Sequence, residues 1–266
     1  MLPHSVFIAF TAFCLVAGPV LSHEFWIEPA EYQVETGAAL EADLRNGQFF
    51  SGSRQAYFSK RTARFELTQN GRTTPVTARM GDIPALQAAA DQDGLIVVVH
   101  QTEPTTLTYN SWDKFQSFAE HKDFPDIRAR HEARGLPEAD FVETYTRCAK
   151  SLIAVGPGSG MDAETGMETE FVALANPYTH DLSNGFPVKL LYQGKPRPDA
   201  QVEVFDRNLD KEVTVTLLRT DEDGRVVIPV TEGHEYLLDA VVLREAQPDS
   251  GAVWETLWAA LTFKVP

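Results

Sequence analysis

Cysteine is nearly missing from this 266-residue chain, which carries only Cys14 and Cys148. Cys14 falls in an N-terminal stretch read below as a removable leader. The remaining chain then has one thiol and no internal disulfide, and its stability has to come from packing. Positive charge is also scarce, with 23 Lys and Arg against 38 Asp and Glu and a formal net charge of −15. Phosphate-backbone binding needs clustered Lys and Arg, as does docking to an anionic membrane surface, so the composition argues against nucleic acid and against the bilayer. An acidic surface is compatible with cation binding and equally with plain solubility. No Gly-x-Ser-x-Gly elbow, Cys-x-x-Cys pair, His-Glu-x-x-His helix or calcium-loop pattern is present, and nothing else in the chain demands an enzyme.

What is present begins with an apolar run at residues 2–17, free of Lys, Arg, Asp and Glu and followed by Gly18-Pro19. It is too short to span a bilayer comfortably. Val20-Leu21-Ser22 then offers a cleavage site that would leave His23 as the first residue of an exported, periplasmic protein. Residues 1–22 are therefore read as a signal peptide. No later apolar run approaches membrane-spanning length, so no direct membrane insertion is expected after processing.

From His23 to about Thr108 short segments alternate with turn signals, which predicts a β-sandwich rather than βαβ units. Asn70-Gly71 is a hairpin turn signal. Leu95-Ile96-Val97-Val98-Val99 reads as a strand buried on both faces. Gly47 to Gly52 lacks the Lys-Ser/Thr of a phosphate loop and reads as a strand-to-turn segment. Over about 112–152 the period becomes helical. Trp112, Phe115, Phe118 and Ala119 predict one helix, and Ile127 with His131 a second. A third is predicted after Pro137, with Phe141, Tyr145, Cys148 and Leu152 on one face and charges placed as the helix dipole favours. Gly156-Pro157-Gly158-Ser159-Gly160 reads as a linker. About seven short strands follow, the number expected of an immunoglobulin-like sandwich. The expected fold is mainly β: a sandwich at 23–160 with a helical insertion, then an immunoglobulin-like or transthyretin-like sandwich at 161–266.

Several segments together resemble one family. HEFWIEP at residue 23, ETYTRCAKSL, EFVALANPY, LLYQGKPRPDAQVEV, TDEDGRVVIPV and WETLWAALTF are similar to the periplasmic NikM-like family, a domain of unknown function associated by name with nickel uptake. The second unit alone also resembles carboxypeptidase-regulatory modules, which are usually structural spacers. The resemblance implies export, a β-rich first domain with helices and an immunoglobulin-like second domain, with metal transport as context.

If cleavage follows Ser22, the α-amine and Nδ1 of His23 form a chelate pair that suits Cu(II), with nickel the other candidate ion. The alternative is that His23 is simply the residue left by cleavage. His100, at the end of the buried strand, is the expected second imidazole, and His131 a further candidate that is equally well read as a buried, hydrogen-bonded side chain. His121 reads as exposed beside Lys122. On the predicted third helix, Glu143 can pair with Arg147 and Lys150, and Glu143, Tyr145, Arg147 and Lys150 become pocket candidates. Cys148 reads as a buried inert thiol. The leading functional expectation is a metal carrier for copper or nickel, accessory to a membrane transporter component. The alternatives are a non-metal small-molecule binding or structural module and, further off, a copper-dependent oxidase.

Overall fold

A computed structural model describes residues 23–266, so the expected signal peptide lies outside the described residues. The first half runs through β1 (Glu24–Pro29), β2 (Gln33–Val34), β3 (Ala39–Gln48), β4 (Ser51–Gln55), β5 (Thr62–Gln69), β6 (Arg72–Pro75), β7 (Leu86–Ala89), β8 (Gly94–Thr102) and β9 (Thr105–Tyr109). Two helices follow, α1 (Trp112–His121) and α2 (Ile127–Ala133). The second half comprises β10 (Phe141–Val155), β11 (Thr169–Ala173), β12 (Phe186–Tyr192), β13 (Lys195–Pro196), β14 (Gln201–Arg207), β15 (Val213–Arg219), β16 (Arg225–Ile228), β17 (Glu235–Glu245) and β18 (Trp254–Lys264). The protein is mainly β, built of packed sheets with a short helical insertion.

A ten-stranded sheet, ordered β15-β14-β17-β18-β10-β8-β5-β6 with β2 and β9 also on β10, forms the middle layer. Alternation along β8 explains why its apolar run is continuous. Leu95, Val97 and Val99 face a core shared with Phe171, Val188 and Leu190, while Ile96 and Val98 face another shared with Trp26, Ile27 and Leu40. The small sheet β11-β12-β13 with β16 covers the first face, and the small sheet β1-β3-β4 with β7 covers the second. Farther along that second face, α1 and α2 lay Trp112, Phe115, Phe118 and Ile127 over Trp254 and Trp258. Both faces of the middle sheet are thus covered, which is why a single strand carries two apolar faces.

Local chemistry matches several turns. Asn70 (φ 52) and Gly71 (φ 75) close the β5–β6 hairpin, and Phe49 (φ 51) and Phe50 (φ 56) close β3–β4. Gly47 faces Gly52 across that second hairpin. A Cβ on Gly47 would lie 2.1 Å from the Ser51 carbonyl oxygen, so the close backbone approach requires glycine there.

Two expectations are corrected. The predicted third helix is β10, a 15-residue strand and the axle of the middle sheet, parallel to β18 and antiparallel to β8 and β9. Phe141, Tyr145, Cys148 and Leu152 match helical spacing, but with nearly every residue of β10 buried no period-2 signature survives. The charge pattern that seemed to fit a helix dipole has no helix to act on. Second, the sheet recruits β8 and β10 from before residue 160 and β14, β17 and β18 from after it, so the two sandwiches read from sequence share their central layer.

Candidate functional site

Between β1–β3–β4 and the middle sheet lies a cavity of about 350 Å³. Its wall comes from segments far apart in sequence: Phe25 of β1, Leu44 and Asn46 of β3, Phe58, Arg61 and Thr62 at the entry to β5, His100 and Thr102 of β8, and Tyr145 and Arg147 of β10. The β5–β8 pairing sets Phe65 opposite His100. The β10–β9 pairing sets Tyr145 opposite Thr105 at the rim.

His100 is 2% exposed. Its ring lies 5.3 Å from that of Phe25 and 5.2 Å from that of Phe65, the latter edge-on. The tautomer follows from hydroxyl arithmetic. Thr62 Oγ1 donates its one proton to the Phe58 carbonyl at 3.1 Å, so in its 3.3 Å contact with His100 Nε2 it accepts, and Nε2 carries the hydrogen. Nδ1 is left as a bare lone pair, buried and without a partner among the described residues. Desolvation pushes the imidazole down to about 3, so it stays neutral at physiological pH. Asn46 Oδ1, also buried and unpartnered, lines the same cavity. Both acceptors belong to residues of one cavity wall and are closed to solvent, and a cation or a donor-bearing ligand that reached them would satisfy them.

Arg147 is 8% exposed, with its guanidinium 4.4 Å from the Trp258 ring and 5.2 Å from the Tyr145 ring. Its Nη1 donates to the His23 carbonyl and its backbone N–H to Thr102 Oγ1 at 3.0 Å. This anchors the start of β1 at the cavity. Strand alternation puts His23, itself exposed, on the face that Phe25 presents to His100.

The remaining sequence candidates separate. His131 is 1% exposed and both its nitrogens are committed: Nδ1 accepts from Trp254 Nε1 at 3.0 Å, and Nε2 therefore donates to the Pro137 carbonyl at 2.9 Å. Neither lone pair is free for a metal, so the buried, hydrogen-bonded alternative describes it. Of the four pocket candidates, Tyr145 and Arg147 line the cavity. Glu143, buried on the same strand face, instead accepts from Thr256 Oγ1. Lys150 points to the opposite face, fully buried, with Asp162 Oδ1 at 2.7 Å, the Ala163 carbonyl at 3.0 Å and Glu170 Oε2 at 3.5 Å. The expected Glu143–Arg147 and Glu143–Lys150 pairs do not form, because they presuppose a helix. Cys148 is a buried thiol pushed up to about 12 by desolvation. Among the described residues no three His, Cys, Asp or Glu side chains are grouped to hold a metal ion, and no helix is long and apolar enough to cross a membrane.

Sequence reasoning missed Asn46, Arg61 and Thr62, which carry no local motif and meet only through strand pairing. It also read Lys122 as lying at an exposed helix end. Lys122 is buried, with Glu203 Oε2 at 2.5 Å, Asp239 Oδ2 at 3.0 Å and Glu24 Oε1 at 3.6 Å.

With this geometry in hand, a family model described as "Domain of unknown function (DUF4198)" matches residues 20–244. The chain belongs to that family. The match includes His23, His100 and Arg147 and stops before β18, so the closing WETLWAALTF segment lies beyond it. No curated protein matches the chain. Among solved structures, the D0-D1 domain of intimin is 12% identical, with 90% of this chain and 97% of that one covered and a TM-score of 0.21. A superposition that weak transfers nothing to this member of DUF4198.

Proposed function

We propose that the protein is a periplasmic metal-binding protein, accessory to the uptake or handling of copper or nickel, with His100 and an N-terminal His23 as its nitrogen donors. The observation that carries this reading is the bare Nδ1 of His100: a buried neutral imidazole whose other nitrogen is fixed by Thr62, the arrangement in which a ligating histidine is held. The donor set fits a borderline or soft divalent ion. His100 would supply Nδ1, and His23 its imidazole and, after cleavage behind Ser22, its α-amine. A bound ion would then be cargo held by nitrogen ligation, with no bond made or broken. The chain's own contribution is to hold the receiving groups: Phe25 and Phe65 lock the His100 ring, Thr62 fixes its tautomer, and Arg147 holds the His23 carbonyl. The apolar run at residues 2–17 supports export, and the similarity of HEFWIEP and ETYTRCAKSL to NikM-like proteins supports the link to metal transport and to a membrane transporter component as recipient.

The test expresses the full chain, establishes the mature N-terminus by intact mass, and titrates the protein with limiting Cu(II) and Ni(II). One ion held tightly by protein beginning at His23, and lost when one residue is added ahead of His23 or when His100 becomes Ala, is the expected result. Unchanged affinity in both variants would sink the reading and favour a non-metal ligand in the same cavity.

A further inference from the structure

The chain carries 38 acidic residues, yet no Asp or Glu lines the His100 cavity, whereas Arg61 and Arg147 both do. Among the described residues neither arginine has a carboxylate partner within ion-pair distance, although most of the other arginines do. Arg147 is the telling case. A guanidinium taken out of water is costly unless an anion meets it, and here Arg147 touches two aromatic faces and one backbone carbonyl, with the carboxylates of Asp239, Glu143 and Glu24 felt only from beyond ion-pair distance. Its planar fork matches a carboxylate in two parallel hydrogen bonds. Arg61 stands at the rim, exposed, with its guanidinium 5.4 Å from the Phe58 ring. Beside its polar groups the wall supplies apolar surface from Phe25, Leu44, Ala56 and Phe58, which suits a carbon skeleton better than an inorganic oxyanion.

We infer that this cavity takes a small organic carboxylate on the part of its wall that Arg61 and Arg147 supply. The inference rests on the arginines and stands without the metal reading. Where both hold, the carboxylate brings a charged oxygen donor to a cavity that, among the described residues, no Asp or Glu side chain lines.

The test is calorimetric titration of the full-length-expressed protein, stripped of metal with a chelator and dialysed, against acetate, succinate and citrate, with succinamide and inorganic phosphate as controls. At least one carboxylate should bind, succinamide should not, and phosphate should bind more weakly. Arg61→Met and Arg147→Met should each weaken carboxylate binding by about tenfold or more, the loss of a charge-assisted bond. Arg147 also anchors the start of β1, so its variant mixes loss of binding with loss of stability. Arg61 is exposed and, among the described residues, makes no side-chain hydrogen bond or ion pair, only a contact over the Phe58 ring, so Arg61→Met keeps the fold and its thermal midpoint and provides the decisive comparison. A His100→Leu variant that loses metal but keeps the carboxylate separates the two readings. Silence from all three carboxylates, phosphate binding as tightly as any of them, or an Arg61→Met variant that binds as the parent does would overturn the inference.

Discussion

Two buried histidines on the same face of the middle sheet behave in opposite ways. His131, on the buried side of α2, has both nitrogens paired, within an aromatic box of Trp112, Phe115, Phe141 and Trp254. His100, equally buried, has one nitrogen paired and one left bare at a cavity wall. Burial alone does not separate structure from function. Hydrogen bonding separates these two histidines, because an unmet buried nitrogen costs stability that a fully paired one does not. The same contrast runs through the cations. Lys150 sits among Asp162, Glu170 and a carbonyl, while Arg147 has no carboxylate within ion-pair distance among the described residues.

The largest way to break this comparison is Lys150→Ala. It strands Asp162 and Glu170 in the core and should cost about 3–5 kcal/mol in urea unfolding; a loss below about 1 kcal/mol would show the site to be wetter than its burial implies. Next comes His131→Ala, which leaves the Trp254 N–H and the Pro137 carbonyl unpaired and opens a void, for about 3 kcal/mol. By contrast His100→Leu should change stability by no more than about 1 kcal/mol, since it removes an unmet nitrogen and keeps apolar volume. Equal losses at His100 and His131 would erase the distinction.

The most specific test concerns the pH dependence of the metal-free protein. Desolvation pushes the Glu24 carboxyl up to about 7, with Asp239 and Glu203 adding to the shift and Lys122 opposing it. The folded state therefore keeps a Glu24 proton that the unfolded chain releases near pH 4.5, so this contribution to stability falls as pH rises from about 4.5 to about 7. His100 has the reverse sign. The unfolded chain takes up its proton near pH 6.5 and the folded state only near pH 3, so stability is lost as pH falls through that range. The two slopes oppose each other in the overlap. Urea midpoints across that range should show His100→Leu flattening the acid limb and Glu24→Gln flattening the neutral one; parallel profiles for both variants and the parent would refute the assignment.

Much of the architecture was legible. The β-rich reading, α1 and α2, the Asn70-Gly71 hairpin and the doubly buried β8 all follow from residues that state their own preference locally. His100 was placed correctly at the end of β8 because the apolar run preceding it is continuous. β10 was not legible as a strand: sheets on both of its faces erase the alternation that marks one, and Phe141, Tyr145, Cys148 and Leu152 happen to repeat at helical spacing. Its branched residues Val142, Thr144, Thr146, Ile153 and Val155 were the available counter-signal. The cavity was only half visible, through His100, Tyr145 and Arg147. Asn46, Arg61 and Thr62 join it by pairing across tens of residues, which no window along the chain can reveal.

The parallel seam between β10 and β18 has one more consequence. Arg147 lies directly opposite Trp258, more than a hundred residues later, and β18 fills a central slot of the sheet. A polypeptide emerging from the ribosome therefore cannot complete its middle layer until residues 254–264 have been made. Contacts of such long range slow folding, so the apolar faces of β10 and β17 stay open until the strand that separates them has been made.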